Sequence, residues 1–214
     1  MNHPTITRFS AIFLASLALV ACGGGTDEDL DKRGTPTSVN ATLATLPIEA
    51  LSQAEIDSLL YMREEEKLAG DVYIRMDALW GRSVPVFSNI TASEATHTEA
   101  VHQLLLRYSL PDPAAGNAVG VFQNPDLQAL HNQLVADGSA SLIDALKVGV
   151  RIEELDMVDI NTHLARVDNQ DIRRVYESLL QGSRNHLRAF SQAQVAAGGV
   201  DERPQFLCLA EWTA

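Results

Sequence analysis

Three successive acidic residues, Glu64 to Glu66, lie in a segment whose apolar residues recur at helical spacing. At about 100° per residue, three consecutive carboxylates on a helix must face different surroundings. Glu64 falls on the polar side with Asp71, whereas Glu66 lies beside Leu59 and Tyr73 and is expected to point inward. A carboxylate in an apolar interior needs a hydrogen-bond donor or a cation as its partner.

A glutamate and a histidine share one face of a second helical segment. Glu94 and His97 fall on the stripe that contains Val101 and Leu104. On a helix, an i, i+3 pair places a carboxylate oxygen and an imidazole nitrogen close enough to bind one metal ion. Two other interpretations stay open: Glu94 can cap the helix, since Thr91 precedes it at capping-box spacing, and His97 can be a hydrogen-bonded core histidine.

A third segment carries further carboxylates. Glu153 lies in its apolar sector near Met157, whereas Glu154 is rotated by about 100° to the edge of that sector. Asp156 borders the same sector, where it can bind a metal ion or accept a hydrogen bond from a ligand of the ion. The alternative is that Glu153 and Glu154 both lie on a solvent-exposed edge.

The last segment supplies a second histidine. His186 lies on an apolar face with Leu179 and Leu187, and Ser183 lies on the same face. A second Glu-x-x-His pair, as in di-metal bundles, would have glutamate at position 183. One expected carboxylate is therefore missing, and the number of metal ions, one or two, stays open.

These side chains must be positioned by helices that run side by side. Helices are predicted at about 52–80, 88–109, 125–137, 141–165 and from 168–171 to just before 198. Ser52 and Glu55 have the spacing of a capping box at the start of the first. We therefore predict an all-α fold: a ferritin-like four-helix bundle over 51–197, with a long crossover between its second and third helices that contains the short extra helix.

Four strings of this sequence resemble the ferritin-like superfamily. They are Arg-Glu-Glu-Glu-Lys-Leu-Ala at 63–69, Ser-Glu-x-x-His at 93–97, Ile-Glu-Glu-Leu-Asp at 152–156 and Ser-Arg-Asn-His-Leu-Arg-Ala-Phe at 183–190. More narrowly, they are similar to an uncharacterised branch known as domain of unknown function 2202. The likeness covers about residues 50 to 195.

The resemblance implies a carboxylate site for iron, either di-iron or mononuclear, or for manganese or zinc. The implied metal ligands are Glu66, Glu94, His97, Glu153 and His186. Tyr73 would hydrogen-bond a ligand or supply an electron. Asp156 and Ser183 would support the ligands from behind.

The N-terminus is typical of a bacterial export signal. Arg8 precedes an apolar run, residues 11–20, that is too short to span a bilayer. Leu19-Val-Ala-Cys22 resembles a lipoprotein lipobox, so residues 1–21 are predicted to be a lipoprotein signal peptide and Cys22 to carry a lipid anchor. Gly23 favours the outer membrane, with the protein facing the periplasm or the cell exterior. The alternative is an ordinary secretory signal.

The net charge of the chain limits which molecules it can bind. The 214 residues carry a formal charge of −12, which disfavours nucleic acid as a partner because like charges repel. Residues 22–50 are predicted to be a flexible tether and residues 198–214 a tail that packs back on the bundle. If Cys22 carries lipid, Cys208 has no intramolecular partner, so the domain must be stable without a disulfide.

Three functions fit this sequence. The first is a metal-binding envelope lipoprotein that binds iron or a similar divalent ion. The second is a di-metal oxidoreductase, a ferroxidase or an enzyme that reduces peroxide or oxygen, whose electrons must come from elsewhere because no Cys-x-x-Cys pair is present. The third is a structural or partner-binding helical lipoprotein with a vestigial site. Association as a homodimer is left open.

Overall fold

A computed structural model of the chain describes residues 43–200 and 204–207, and the described part is entirely helical, with no β-strand. Its five helices are α1 Gln53–Trp80, α2 Val86–Arg107, α3 Pro125–Gly138, α4 Leu142–Leu164 and α5 Gln170–Ala196. The prediction of an all-α fold is confirmed. The predicted helix boundaries agree within about two residues at most ends, and α2 begins at Val86 rather than at residue 88.

The helix starts follow from local capping chemistry. The Ser52 side chain accepts a hydrogen bond from the Glu55 amide, and the Glu55 carboxylate accepts from the Ser52 amide at 2.8 Å, which is the predicted capping box. The second Glu55 oxygen accepts from the amides of Asp168 and Asn169 at 3.2 and 3.1 Å. One buried carboxylate therefore joins the start of α1 to the start of α5.

The four long helices pack around a common interior. α1 packs against α2 and α4, α5 packs against α2 and α4, and the short α3 packs on α1 and α4. Leu59, Tyr73, Leu104, Met157 and Phe190 are among the fully buried side chains of one apolar cluster. Each long helix therefore presents one face to the same core, where a polar group needs a partner.

The crossover between α2 and α3 lies against α1, and this overturns one prediction. Glu64 accepts from the backbone amides of Gln123 and Asn124 at 2.5 and 2.9 Å, and Asp71 accepts from the amide of Gly120 at 2.7 Å. Both carboxylates are buried, so the prediction that they face water is wrong. A single helix cannot reveal that a distant loop will cover its polar side.

The position of Glu154 is a second difference from the prediction. Glu154 is buried rather than placed at an edge, and one of its oxygens accepts from the amides of Gln205 and Phe206, both at 2.7 Å. Leu207 is buried in the same core cluster. In the described part of the C-terminal tail, these contacts hold residues 205–207 against the helices.

The predicted signal peptide, Cys22 and most of the tether lie outside the described residues. Within residues 43–200 and 204–207, no helix has both the length and the apolar character needed to cross a membrane.

Candidate metal-binding site

The first half of the site joins α1 to α2. His97 Nδ1 lies 3.3 Å from Glu66 Oε2 and 3.2 Å from Glu94 Oε2. Glu66 and Glu94 are almost completely buried, with exposed fractions of 1% and 2%. The inward orientation predicted for Glu66, and the shared face predicted for Glu94 and His97, are therefore what the structure has.

The second half joins α2 to α4 and α5. His186 Nδ1 lies 2.7 Å from Glu94 Oε1 and 3.5 Å from Glu153 Oε2. Its other nitrogen, Nε2, lies 2.8 Å from the Ser93 hydroxyl, which fixes the ring so that Nδ1 faces the carboxylates. The two imidazole rings stack with their centres 5.2 Å apart. All five residues predicted as metal ligands are thus in one continuous contact network, with Glu94 at its centre.

The register of the helices brings these groups to one depth. Glu66 lies 14 residues before the end of α1, and His97 lies 11 residues after the start of α2, or about 21 and 16 Å along the two axes. The start of α2 at Val86 rather than at residue 88 adds two residues, or about 3 Å, to the part of α2 that precedes Glu94 and His97.

Gly182 on α5 makes room for the imidazole of His97. A Cβ atom at position 182 would lie 2.3 Å from His97 Nε2 and 2.4 Å from its Cε1, closer than real Cβ contacts. Sequence reasoning did not select Gly182. The available signal was a glycine in a helix interior, which is unfavourable by about 1 kcal/mol relative to alanine and so indicates a packing reason.

Several buried polar atoms at the site have no hydrogen-bond partner. They include Nδ1 of His97 and of His186 and Oε1 of Glu66. The imidazole nitrogens lie within ion-pair distance of carboxylate oxygens, yet the geometry does not form hydrogen bonds. Because buried polar groups in proteins are usually paired, ligand atoms that converge without satisfying one another fit a cation bound between them.

Burial and the neighbouring charges shift the pKa values of these groups. Burial raises the pKa of Glu66 to about 7, although the neighbouring His97 opposes the shift. Burial would also raise the pKa of Glu94, but His97 and His186 outweigh it and hold that pKa well below its ordinary value. Glu153 and Glu94 raise the pKa of His186 to about 10 despite its burial, and Glu94 and Glu66 raise that of His97 well above its ordinary value.

Of the three residues predicted to support the ligands, Tyr73 contacts a ligand directly, whereas Asp156 and Ser183 contact each other. The Tyr73 hydroxyl donates to Glu153 Oε1 at 2.6 Å. The Ser183 hydroxyl donates to Asp156 Oδ2 and lies 3.0 Å from the Leu179 carbonyl oxygen. Asp156 on α4 therefore lies next to the position where α5 has serine instead of the expected glutamate.

Glu65 is a buried carboxylate that sequence reasoning did not single out. It has an exposed fraction of 7%, and its Oε2 has no hydrogen-bond partner. Burial, Asp156 and Asp159 raise the pKa of Glu65 well above its ordinary value. Nothing in a run of three glutamates indicates that all three will be buried.

The donor set fits a divalent metal ion. One ligand atom each from Glu94, His97 and His186 lie within 4.8 Å of one another, which allows a single ion to contact all three. Carboxylate oxygens and imidazole nitrogens are ligands of iron, manganese and zinc in proteins. The five predicted ligands together offer two nitrogens and three carboxylates.

Comparison with known proteins gives one family. Residues 55–213 match the family described as "Uncharacterized protein domain (DUF2202)". The chain is 43% identical over 170 residues to an uncharacterised protein, MJ0754, of Methanocaldococcus jannaschii, a match that covers 79% of this chain and 90% of that protein. The crystal structure of that hypothetical protein superposes with a TM-score of 0.76, over 79% of this chain and 95% of the other.

These relatives correct the predicted location. The sequence was interpreted as a bacterial lipoprotein anchored preferably at the outer membrane, but a relative of 43% identity is an archaeal protein whose crystal structure is known. The assignment to a bacterial outer membrane is therefore wrong. It depended on a few residues around position 22, which the helical domain does not constrain.

Proposed function

From the premise that the chain belongs to the DUF2202 family, we propose that it is a metal-binding protein with a ferritin-like four-helix arrangement. The site binds iron or a similar divalent ion through Glu66, Glu94, His97, Glu153 and His186. The four long helices, α1, α2, α4 and α5, carry these ligands. The short α3 belongs to the crossover.

One observation carries this proposal: three carboxylates and two imidazoles meet in the protein interior with unpaired ligand atoms. Such a group is costly to bury unless protons or a cation balance its charge. A divalent ion held by Glu94, His97 and His186 would give the unpaired Nδ1 of both histidines a partner. A purely structural core would gain more from apolar side chains of the same volume.

The neighbours of the ligands suit that role. Tyr73 and Ser93 fix the orientation of Glu153 and His186 through hydrogen bonds of 2.6 and 2.8 Å. Hydrogen bonds to a ligand's remote atom raise metal affinity by holding the near atom in place. Because Ser183 replaces a carboxylate, we expect one ion to bind tightly at Glu94, His97 and His186.

The test is metal content. Protein purified without chelators and then loaded with Fe(II) anaerobically should contain about one tightly bound ion, by elemental analysis after gel filtration. Glu94→Ala combined with His97→Ala should lose it, whereas Glu177→Gln, which removes an exposed charge on α5, should keep it. Unchanged metal content in the double variant would reject the proposal and leave a structural helical domain.

A second candidate, a di-metal oxidoreductase, is favoured by Tyr73. Its buried hydroxyl donates to Glu153, so a phenol that can give up an electron contacts a ligand directly. Iron would supply the one-electron chemistry, and the protein would supply a dry site and a hydrogen-bonded phenol. Admitting oxygen to the Fe(II)-loaded protein separates the two functions: repeated oxidation of added Fe(II), measured with an oxygen electrode, requires the enzyme, and binding without turnover requires the metal binder.

A further inference from the structure

Residues 118–124 of the crossover lie against α1 and α3, and we call this segment the strap. From α1, Asp71 accepts a hydrogen bond from the Gly120 amide at 2.7 Å. From α3, the Gln128 side chain donates to the Gly120 carbonyl at 2.9 Å and accepts from the Phe122 amide at 3.2 Å. The strap is therefore joined to both helices by hydrogen bonds to its backbone.

His131 on α3 contacts the strap with its ring. Its exposed fraction is 5%, and its ring centre lies 5.3 Å from that of Phe122. Gly120 has a φ of +84°, and a Cβ atom there would lie 2.8 Å from His131 Cε1, so both the backbone conformation and the close approach require glycine. The imidazole is therefore part of the surface on which the strap rests.

The two ring nitrogens of His131 have different surroundings. Nδ1 lies 3.4 Å from Asn132 Oδ1, an atom that can only accept, so the neutral ring carries its proton on Nδ1. Nε2 is inaccessible to solvent and has no hydrogen-bond partner. A second proton would be added at Nε2, where it would leave a charged donor buried without an acceptor.

The charged groups around His131 do not compensate for this cost. Burial lowers the pKa of His131, Lys67 and Arg75 on α1 lower it further, and Asp71 opposes them. Residues 118–124 include no titratable side chain. An ion pair joins α3 to α4 about 9 Å further along α3, between Asp137 and Arg151.

Asp71 is the one acidic group among these neighbours on α1, and it is already engaged. Its Oδ2 accepts from the Gly120 amide and also pairs with the Lys67 ammonium. A charged His131 ring could use this carboxylate only by drawing it away from those partners. Either way, protonation of the ring weakens the contacts that hold the strap.

We propose that His131 is an acid-sensitive switch: protonation of its ring releases the strap from α3 and α1 and uncovers the polar face of α1. The neutral ring fits against Gly120 and Phe122, whereas the charged ring needs an acceptor or water that the closed strap excludes. None of the strap contacts involves a residue of the Glu/His site, so the switch goes beyond the proposed function and does not depend on a bound metal ion.

The direction of the pH dependence follows from linkage. Because the pKa of His131 is lowered in the closed state, closure is fully favourable above the ordinary value of 6.5 and is lost as pH falls below it. The strap should therefore be closed at neutral pH and open in mild acid.

Hydrogen exchange in the full chain tests the switch. Protection factors of the Gly120, Gln123 and Asn124 amides, corrected for intrinsic exchange at each pH, should fall roughly tenfold between pH 7.5 and pH 5.0. The fall should also occur with chelator present, which excludes loss of a metal ion as its cause. His131→Phe, whose ring is uncharged at both pH values, should show no such fall. His163→Phe is the matched control, since this half-buried histidine of α4 also has a lowered pKa, and the fall should persist in it.

Each outcome decides the proposal. An equal fall in His131→Phe and in the natural chain would overturn it and assign the opening to the carboxylates of Glu64 and Asp71. Constant protection in the natural chain would overturn it as well. Should His131→Phe not fold, His131→Gln is neutral at every pH and has the same expected result. Nuclear magnetic resonance titration of the natural chain gives a further test: a His131 ring that titrates at or above 6.5 overturns the switch, and one that titrates lower, together with the strap amides, supports it.

Discussion

Glu94 joins the two halves of the site because its carboxylate contacts both histidines. One of its oxygens lies 3.2 Å from the imidazole of His97, and the other lies 2.7 Å from that of His186. In the metal-free protein, two protonated imidazoles stabilise its charge and lower its pKa. A bound cation would take over this role, so the same carboxylate serves the site with protons or with metal.

Metal binding should therefore release protons. Since the pKa of His186 is raised to about 10 and that of His97 is also well above its ordinary value, both rings are protonated at neutral pH without metal. A metal ligand must be the neutral imidazole, so we expect about two protons to leave per ion and affinity to rise with pH. Calorimetric titration with Zn²⁺ in buffers of different ionisation enthalpy measures this number. Binding without proton release would contradict the charged imidazole pair.

A second residue-scale prediction concerns Gly182. Gly182→Ala places a Cβ atom 2.3 Å from His97 Nε2, so the ring must move and metal affinity should fall by roughly tenfold or more. Helix propensity alone would make the variant more stable by about 1 kcal/mol. Gly70→Ala is the matched control, since its Cβ would lie 3.4 Å from Glu94 Cβ, an ordinary contact. Equal affinity in both variants, measured by Zn²⁺ titration, would show that the position of His97 does not matter.

At the scale of elements, the three consecutive glutamates of α1 face three different parts of the structure. Glu64 binds the backbone of the crossover, Glu65 lines a small cavity beside α4, and Glu66 contacts His97 on α2. A helix can do this because each residue turns by about 100°. All three are buried because α1 is covered by α2, α4 and the crossover.

Glu64 should hold the crossover without affecting the metal. Glu64→Ala leaves the amides of Gln123 and Asn124 without their acceptor, which should lower the free energy of unfolding by about 1–3 kcal/mol. Urea denaturation measures the loss, and hydrogen exchange at the same two amides should become faster. Metal content should match that of the natural chain, as it should for Glu177→Ala. A variant that lost its metal instead would place Glu64 in the site.

At the scale of the whole molecule, the helices enclose more negative charge than two imidazolium groups can balance. Burial raises the pKa of Glu66, Glu65 and Asp156. For an acid with a raised folded-state pKa, the folded protein holds the proton more tightly than the unfolded chain, so stability is present at low pH and is lost as pH rises through that pKa. For Glu66 the loss falls between its ordinary value near 4.5 and about 7.

Removing metal should therefore destabilise the protein, and more so at higher pH. An ion present at about 100 times its dissociation constant contributes about 2.7 kcal/mol, or roughly 5–10 °C in melting temperature for a domain of this size. We expect the difference between metal-loaded and chelator-treated protein to be larger at pH 8 than at pH 6. Scanning calorimetry at both values measures it. A melting temperature that chelator does not change at either pH would contradict a tightly bound ion.

The sequence by itself determined the helices and the identity of the converging side chains. Helical periodicity marked Glu66, Glu94, His97, Glu153 and His186 as inward. Capping signals such as Ser52 with Glu55 determined where helices begin, because both kinds of signal act within a few residues along the chain.

Only the tertiary structure decided which other segment covers each face of a helix. It buried Glu64 under a crossover 59 residues away, buried Glu154 under the tail, and placed Glu65 and Asp156 on one cavity. It also set the close approach of Gly182 to His97. Periodicity states which way a side chain points but not what another segment brings there, because those contacts join residues far apart in sequence and depend on how the helices pack together.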